Sequence, residues 1–231
     1  MTTLALFLHP EMPPASAGAQ SWRKSQYGTS VLLAFAILPL TAQDRFQIAL
    51  DLAYQGSSTQ REDFISISAN QRTQSGLEVG WRPLSLGPVD IRLTAGMRAK
   101  SSSDVTVGAY YRSDKIGTLS HESIDLGAEA TWHRGVELGG GLQVRRERMT
   151  LSMTDATVPD ASATIYRPWL TSHVGFSWKI QKVTPFFRGL LSIPLTEEKY
   201  TSESDVVVPS EQLVKAMAPS VEIGVQVGLR F

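Results

Sequence analysis

A histidine, a serine and two acidic residues lie within a span of five residues. His121 and Ser123 form a His-x-Ser pair, with Glu122 and Asp125 beside them. A base, a hydroxyl nucleophile and a carboxylate are the groups that acyl transfer requires. From Ile124 onward the sequence alternates in polarity, which places His121 and Ser123 on the polar face of a strand or at the base of a loop. We therefore predict no catalytic residue here.

The other histidines and a run of basic residues could also carry chemistry. No second histidine stands at ligand spacing from His173, and the chain has neither a His-Glu-x-x-His motif nor a glycine-rich phosphate loop. We expect His173 to belong to a polar network and His133 to lie at a headgroup interface. The run Arg145–Arg148 holds three arginines and is suited to lipopolysaccharide phosphates or to internal pairing. No cofactor and no metal ligand is predicted.

The composition excludes several classes of protein. The 231 residues include 22 basic and 22 acidic side chains and no cysteine. A net charge of zero argues against a general polyanion or nucleic-acid binder. The lack of cysteine excludes disulfides, thiolate metal sites and a cysteine nucleophile. Since no apolar run reaches the roughly 20 residues of a spanning helix, the protein is either soluble or hides a membrane surface in alternating strands.

The N-terminal segment has the layout of a secretory signal peptide. Arg23 and Lys24 precede an apolar run over 31–40, and small residues follow it. This order of basic, apolar and small residues is typical of segments that are removed on export. We place cleavage after Ala42, so that residues 1–42 are an N-terminal extension and signal peptide and residues 43–231 are the mature domain. A short buried helix is the alternative.

From Phe46 to the end of the chain, apolar residues recur at every second position, which is the period of a β-strand. The final run is the clearest, with six apolar residues from Val221 to Phe231 separated by polar residues and glycines. The phase of the seventh run is uncertain, because Phe186 and Phe187 are adjacent. The eight runs cover 46–55, 76–82, 89–98, 124–132, 136–145, 170–180, 184–195 and 221–231.

The second face of these runs is rich in glycine and in charges of both signs. A soluble sandwich or a lipocalin-like barrel also alternates, but the polar face of a sandwich meets bulk water. Seven acidic and seven basic residues lie on this face, and equal numbers indicate a closed interior of paired ions, because an unpaired buried ion is costly. These residues are Asp51, Glu78, Asp90, Asp125, Glu129, Glu137, Glu222, Arg82, Arg92, Arg98, Arg145, Lys179, Arg188 and Arg230.

Short and long connections alternate strictly between the eight runs. This asymmetry is typical of bacterial outer-membrane barrels, which have short periplasmic turns and long extracellular loops. Val105 to Tyr111 alternates again within the second long connection. We predict a hairpin that projects beyond the membrane, and an extra pair of spanning strands is the alternative. The short connections are 83–88, 133–135 and 181–183, and the long, polar ones are 56–73, 100–122, 149–165 and 196–220.

Three tryptophans and the last residue stand at equivalent positions. Trp81, Trp132 and Trp178 lie on the apolar face near the end of an even-numbered run, just before a short turn, and Phe231 ends the eighth run. Chain direction places all four at one end, where a membrane barrel has an aromatic girdle. The sequence therefore predicts an all-β, antiparallel, up-and-down transmembrane β-barrel of eight strands, with ten as the alternative.

The signal peptide, the eight alternating runs and the terminal Phe231 make the mature chain resemble the small OmpA/OmpX-type outer-membrane barrels. The resemblance implies location in the bacterial outer membrane, contact with its lipid and lipopolysaccharide, and recognition of the last strand by the outer-membrane assembly machinery. In that recognition signal, Gln226 stands where glycine is usual. The His121 and Ser123 pair is similar to the motif of outer-membrane lipid A deacylases, but there both residues face the lipid.

Three functional classes are compatible with this architecture. Eight strands enclose an interior that side chains just fill, whereas aqueous porins take about sixteen. We therefore expect a charge-plugged lumen and a structural or surface-interaction role, without enzymatic activity. A lipid A-modifying or other surface enzyme and a narrow solute channel are the alternatives.

Overall fold

The computed structural model describes residues 44–62, 65–109, 112–197 and 209–231. The predicted signal peptide and its cleavage site, in residues 1–42, lie outside the described residues. The described part of the chain contains ten strands and one helix, which lies before the last strand. These elements are β1 (Phe46–Gln55), β2 (Ser58–Glu62), β3 (Ile65–Ala69), β4 (Arg72–Leu86), β5 (Val89–Ala109), β6 (Arg112–Arg134), β7 (Val136–Met153), β8 (Ala161–Ser177), β9 (Thr184–Pro194), α1 (Glu211–Ala216) and β10 (Glu222–Arg230).

Eight of the strands close into one hydrogen-bonded ring. Its order is β1, β4, β5, β6, β7, β8, β9 and β10, and β10 pairs again with β1. Every neighbouring pair is antiparallel. Phe46 and Phe231 complete the closure, because the backbone N–H of each donates to the carbonyl of the other at 3.0 Å. The predicted all-β, up-and-down barrel of eight strands is therefore confirmed, and the ten-stranded alternative is wrong.

The predicted alternation gives the two faces of the barrel wall. In β1, Leu50 and Leu52 are exposed on the outside, whereas Asp51 and Ala53 are buried. This follows from the pleat of a strand, in which successive side chains point to opposite faces. The outer face is apolar and the inner face carries the charges, so each strand is held in one register.

The structure settles one position that the sequence left uncertain and corrects another. The phase of β9 is now fixed, because Phe186 is buried inside and Phe187 is exposed outside. Lys179, predicted to face inward, is exposed. It lies beyond Ser177, where β8 ends, so the alternation no longer sets the direction of its side chain.

The four long connections, predicted as polar loops, contain regular structure. β5 runs to Ala109 and β6 starts at Arg112, so the segment from Val105 is the projecting hairpin that was predicted. β2 and β3 form a second hairpin, and β3 pairs with the extension of β5. β7 and β8 continue their pairing to Leu151 and Ala161. Strand pairing supplies partners for backbone groups that a loop would have to leave to water.

An apolar core fills the extended end of the barrel. Leu119 of β6, Met149 and Leu151 of β7, and Leu213 and Val214 of α1 are fully buried there. Burial of such side chains stabilises the fold by roughly 1.5–3 kcal/mol each. The sequence pattern did not predict this core. Its other buried members are Ile67, Ala69, Val105, Ala161, Ala163, Ile165, Met217 and Ala218.

Helix α1 is fixed at both ends. The hydroxyl of Ser210 accepts the backbone N–H of Leu213 at 3.2 Å, which caps the first turn. At the other end, Ser58 and Gln60 of β2 donate to the backbone carbonyls of Met217 and Ala216 at 2.9 and 2.8 Å. The helix is thereby tied to β2 above the charged part of the interior.

The opposite end of the barrel has the short turns and the aromatic residues. Gly87 and Gly135 take positive φ angles of 62° and 85° at two of the turns, which glycine adopts without strain. Trp81, Trp132 and Trp178 are exposed on the outside near this end. We call it the short-turn end and the other the extended end. Within the described residues, no helix is long and apolar enough to cross a bilayer.

Candidate functional site

Glu137 organises the charged interior at the short-turn end. It accepts a bond from Arg188 Nε at 3.0 Å and two bonds from the guanidinium of Arg230, at 2.5 and 2.8 Å. Arg188 also donates to both oxygens of Glu129, at 3.2 and 3.3 Å. These residues come from β6, β7, β9 and β10, so the ion pairs cross the lumen.

Aromatic rings lie between the arginines. The ring of Phe186 has the guanidinium of Arg188 at 4.7 Å and that of Arg230 at 4.5 Å from its centroid. Trp169 is placed in the same way, with Arg145 at 4.1 Å and Arg167 at 5.0 Å. Cation–π contacts of desolvated guanidinium groups are worth on the order of 2 kcal/mol. The rings therefore fill the interior and also stabilise its charges.

A second group of ion pairs is centred on Glu222. We call it the middle layer, because it lies between the Glu137 group and the ion pairs of Glu147 below the apolar core. Glu222 pairs with Arg98 of β5, and Arg145 of β7 donates to its two oxygens at 3.0 and 3.2 Å. Gln55 donates to the same carboxylate at 3.1 Å. An excess of donors around a buried carboxylate offsets the cost of removing its charge from water.

A neutral amide connects two further carboxylates in this layer. Gln226 Nε2 donates to Asp51 at 2.8 Å and to Glu78 at 3.1 Å. Gln47 donates to Glu78 as well, at 3.0 Å, and accepts from Arg230 at 3.2 Å. The glutamines thus link the middle layer to the short-turn end. These amides were not among the predicted interior residues, although their inward positions follow from the same alternation.

Glu147 forms the upper layer, just below the apolar core. Arg167 donates to its two oxygens at 3.0 and 2.7 Å, and the indole of Trp169 donates at 2.9 Å. His121 Nε2 lies 3.2 Å from Glu147 Oε2. Arg167 also donates to the carbonyl of Pro219, next to the segment that carries α1, at 3.1 Å. This layer therefore joins the barrel wall to the closure above it.

The His121 and Ser123 pair faces inward, as predicted, and the two side chains are only 2 % and 4 % exposed. The carboxylate partner of His121 is Glu147 from β7, while Glu122 points outward to Arg148. Within the described residues, the Ser123 hydroxyl has no hydrogen-bond partner. The hydrogen bond between nucleophile and base that acyl transfer uses is therefore not formed here.

The other two histidines lie in the interior network. His173 is buried beside Thr131 Oγ1 at 3.1 Å and Glu129 at 3.8 Å, which confirms the predicted network role. His133, expected at a headgroup interface, instead lies at the rim of the lumen between Asp90 and Glu137, at 3.1 and 3.2 Å. The expectation was wrong because His133 continues the inward phase of β6. Among the described residues, no three metal-ligating side chains form a group.

The basic run of β7 is divided between the two faces. Arg145 and Glu147 are buried inside, whereas Arg146 and Arg148 are exposed outside. Internal pairing is therefore confirmed for Arg145, whereas contact of Arg146 and Arg148 with lipopolysaccharide phosphates stays a prediction. The strand period makes this division unavoidable.

No protein-family model and no curated protein sequence matches the chain. Solved structures with a related arrangement include the outer-membrane protein OprG of Pseudomonas aeruginosa, with 9 % identity and a TM-score of 0.44 over 83 % of this chain and 95 % of that one. The outer-membrane protease OmpT of Escherichia coli has 8 % identity and a TM-score of 0.38 over 84 % of this chain and 99 % of that one. The closed ring of hydrogen bonds itself defines the class: an eight-stranded antiparallel β-barrel with buried salt bridges inside.

Proposed function

We propose that the barrel spans the bacterial outer membrane as a closed, non-conducting protein with a structural or surface-interaction role. The observation that carries this proposal is a belt of exposed apolar side chains on the outside of the ring, which we call the apolar belt. Soluble monomers rarely expose contiguous apolar patches above a few hundred Å². The belt includes Leu50, Leu52, Val79, Leu93, Met97, Ile124, Leu126, Leu142, Val144, Leu170, Val174, Leu191, Val225 and Val227.

The height of the apolar belt matches a bilayer. On β6 its outward residues run from Ile124 to Trp132, a stretch of nine residues. A tilted transmembrane strand needs about 9–11 residues to cross the hydrocarbon core. Above Ile124 the next outward residue is Glu122, and its side chain is paired with Arg148. The polar surface therefore begins where the lipid tails would end.

The ends of the barrel support one orientation. Trp81, Trp132 and Trp178 surround the short-turn end, and an aromatic girdle stabilises a barrel at the headgroup level. In outer-membrane barrels the short turns face the periplasm. The extended end, with the β2–β3 hairpin and α1, then faces the outside of the cell. It would be the surface available for interaction.

The filled interior supports the non-conducting role. Arg92, Arg145 and Arg188 are fully buried within the lumen, and the apolar core with α1 covers the extended end. An ion would have to separate several buried pairs to pass. We expect planar bilayers with the refolded barrel to stay at background conductance, and heat-modifiable migration to show that the barrel has folded. Stable conductance near that of general porins would refute the closed lumen, and absence from outer-membrane fractions would refute the location.

The last strand is proposed as the signal for the outer-membrane assembly machinery. β10 alternates without a break, and Phe231, which follows it, pairs with Phe46 at the seam of the ring. The same residue would therefore serve recognition before insertion and closure after it. Deletion of Phe231 tests both roles, since it removes the aromatic residue and the closing backbone bonds.

The barrel is proposed to have no enzymatic activity. His121 and Ser123 lie inside the wall and face away from the lipid, and Glu147 holds His121 from the neighbouring strand. An enzyme that acts on lipid A would need its nucleophile where the acyl chains reach it. We therefore interpret these residues as part of the upper charged layer.

A further inference from the structure

A bulge in β5 changes the outer surface at the upper edge of the apolar belt. The register between β5 and β6 shifts between Arg98 and Ser101, so that Ala99 and Lys100 together face Glu122. An extra residue of this kind breaks the alternation and re-aims a side chain. Ala99 and Lys100 are accordingly both exposed. The bulge thus adds a cation to the outside of the wall.

Lys100 lines a groove on the outer surface of β5, β6 and β7. The groove has a volume of about 150 Å³, and its outward-facing lining also includes Ser120, Glu122, Arg148 and Thr150. Pockets that enclose a whole small-molecule ligand measure roughly 300–1,000 Å³. This groove therefore fits one charged group of a larger molecule.

The charge of this surface is positive. Arg148 pairs loosely with Glu122, at 3.6 Å with side chains 66 % and 44 % exposed, and such surface pairs are weak. Arg146, two residues along β7 on the same face, is exposed as well. We call Lys100, Arg146 and Arg148 the basic cluster. Among the described residues, Glu122 is the acidic side chain that pairs with this cluster, through Arg148. The cluster therefore keeps a net positive charge that attracts an anion.

The basic cluster lies at the border of the apolar belt. Arg146 pairs in register with Ile124, and Val144 is the next outward residue below it. Both apolar side chains are more than half exposed. On the opposite wall, at the upper ends of β1 and β9, the outward residues are Tyr54 and Ile193, which carry no charge. These two described positions of the opposite wall therefore have no counterpart of the cluster.

We propose that the basic cluster and its groove bind the phosphate groups of lipopolysaccharide in the outer leaflet. The inference rests on the proposed location in the outer membrane. Guanidinium and ammonium groups pair with phosphate through charge-assisted hydrogen bonds. The exposed apolar residues directly below the cluster would contact the acyl chains of the same molecule. This second contact distinguishes a phosphorylated glycolipid from free phosphate.

Native mass spectrometry of the detergent-refolded full-length mature barrel tests the proposal. The ligands are bis-phosphorylated lipid A, the same lipid after removal of its phosphates, and inorganic phosphate as competitor. The test variant combines Lys100→Gln, Arg146→Gln and Arg148→Gln. The control combines Arg134→Gln, Lys179→Gln and Lys182→Gln, which remove three exposed charges at the short-turn end.

We expect the unmodified barrel to bind phosphorylated lipid A. The test variant should bind it at least about tenfold more weakly, because each basic residue adds attraction to an anionic membrane surface. The control should bind as the unmodified barrel does, and neither dephosphorylated lipid nor millimolar phosphate should replace the ligand. Equal binding by the test variant, equal binding of the dephosphorylated lipid, or displacement by inorganic phosphate would overturn the proposal. A barrel that folds with a heat-modifiable shift but lacks phosphate-dependent binding refutes this inference alone, whereas a barrel that never reaches the outer membrane refutes the proposed location.

Discussion

Glu137 and Arg230 form a two-point ion pair across the interior of the barrel, with donor–acceptor distances of 2.5 and 2.8 Å. Glu137 lies in β7 and Arg230 in β10, and these strands are not neighbours in the ring. The pair therefore connects two walls that the backbone hydrogen bonds do not join. Arg188 of β9 binds the same carboxylate. A single glutamate thus holds two buried arginines.

Replacing Glu137 by glutamine should destabilise the barrel by about 3–5 kcal/mol, because buried Arg230 loses its carboxylate partner and Arg188 keeps only Glu129 among the described carboxylates. Asp104→Asn is the control, since Asp104 pairs with Lys115 at 2.7 Å on an exposed surface and should cost at most about 1 kcal/mol. Urea unfolding in lipid vesicles measures both free energies. Similar losses for the two variants would mean that the interior pair is as well solvated as the surface pair.

Gly228→Ala should destabilise the barrel by about 1–3 kcal/mol through overpacking. A Cβ at this position would meet the ring of Phe186 and the carbonyl of Ile48, and the guanidinium groups of Arg188 and Arg230 pack against the same ring. Gly189→Ala is the matched control. The nearest described atom to its new Cβ is a carbonyl oxygen at 3.8 Å. An unchanged unfolding midpoint for Gly228→Ala would show that the interior can yield around Phe186.

Two adjacent residues of β10 test which face is lipid-exposed. Val225 is outward in the middle of the apolar belt, and an arginine there should cost roughly 2–4 kcal/mol. Gln226 is buried and lies between Asp51 and Glu78, so that an arginine in its place meets two carboxylates. Folding yield in vesicles should therefore fall much further for Val225→Arg than for Gln226→Arg. Comparable folding of the two variants would mean that the proposed membrane surface is wrong.

Leu213→Asp should release α1 from the extended end while the barrel stays folded. The side chain is fully buried in the apolar core, where an unpaired carboxylate is costly. Limited proteolysis should then cleave within 209–218, and heat-modifiable migration should persist. Glu211→Ala, on the exposed side of the same helix, should leave the cleavage pattern unchanged. Loss of the heat-modifiable shift in Leu213→Asp would instead make α1 essential to the whole barrel.

His121→Ala and Ser123→Ala should leave the acyl chains of lipid A unaltered. The structural role of His121 predicts a different effect, since its loss removes one partner of Glu147 and should lower stability by about 1–3 kcal/mol. Mass spectrometry of lipid A from cells that express the parent protein, each variant or an empty vector measures the first effect, and urea unfolding measures the second. Deacylation by the parent protein that either variant abolishes would replace our proposal with an enzyme.

Local sequence determined which residues face inward and which face outward, except in β9, where Phe186 and Phe187 are adjacent, and at Lys179 beyond the end of β8. A strand has a period of two, so Leu50 against Asp51, or Ile223 against Glu222, reveals its faces without a partner. The short turns and the aligned tryptophans follow equally from local spacing. This information was sufficient to predict the eight-stranded barrel. Only a closed sheet has no free edges and places the charged face of every strand in an interior where the charges can pair.

Only the tertiary structure shows which interior side chains form ion pairs and hydrogen bonds with each other. These contacts depend on the stagger between strands far apart in the chain, which alternation leaves open. They are Glu137 with Arg188 and Arg230, Glu147 with His121, and Gln226 with Asp51 and Glu78. The same applies to α1, a helix of six residues too short to be stable alone. It forms because the apolar core at the extended end buries Leu213 and Val214, and that core exists only once β3, β5, β6, β7 and β8 are paired.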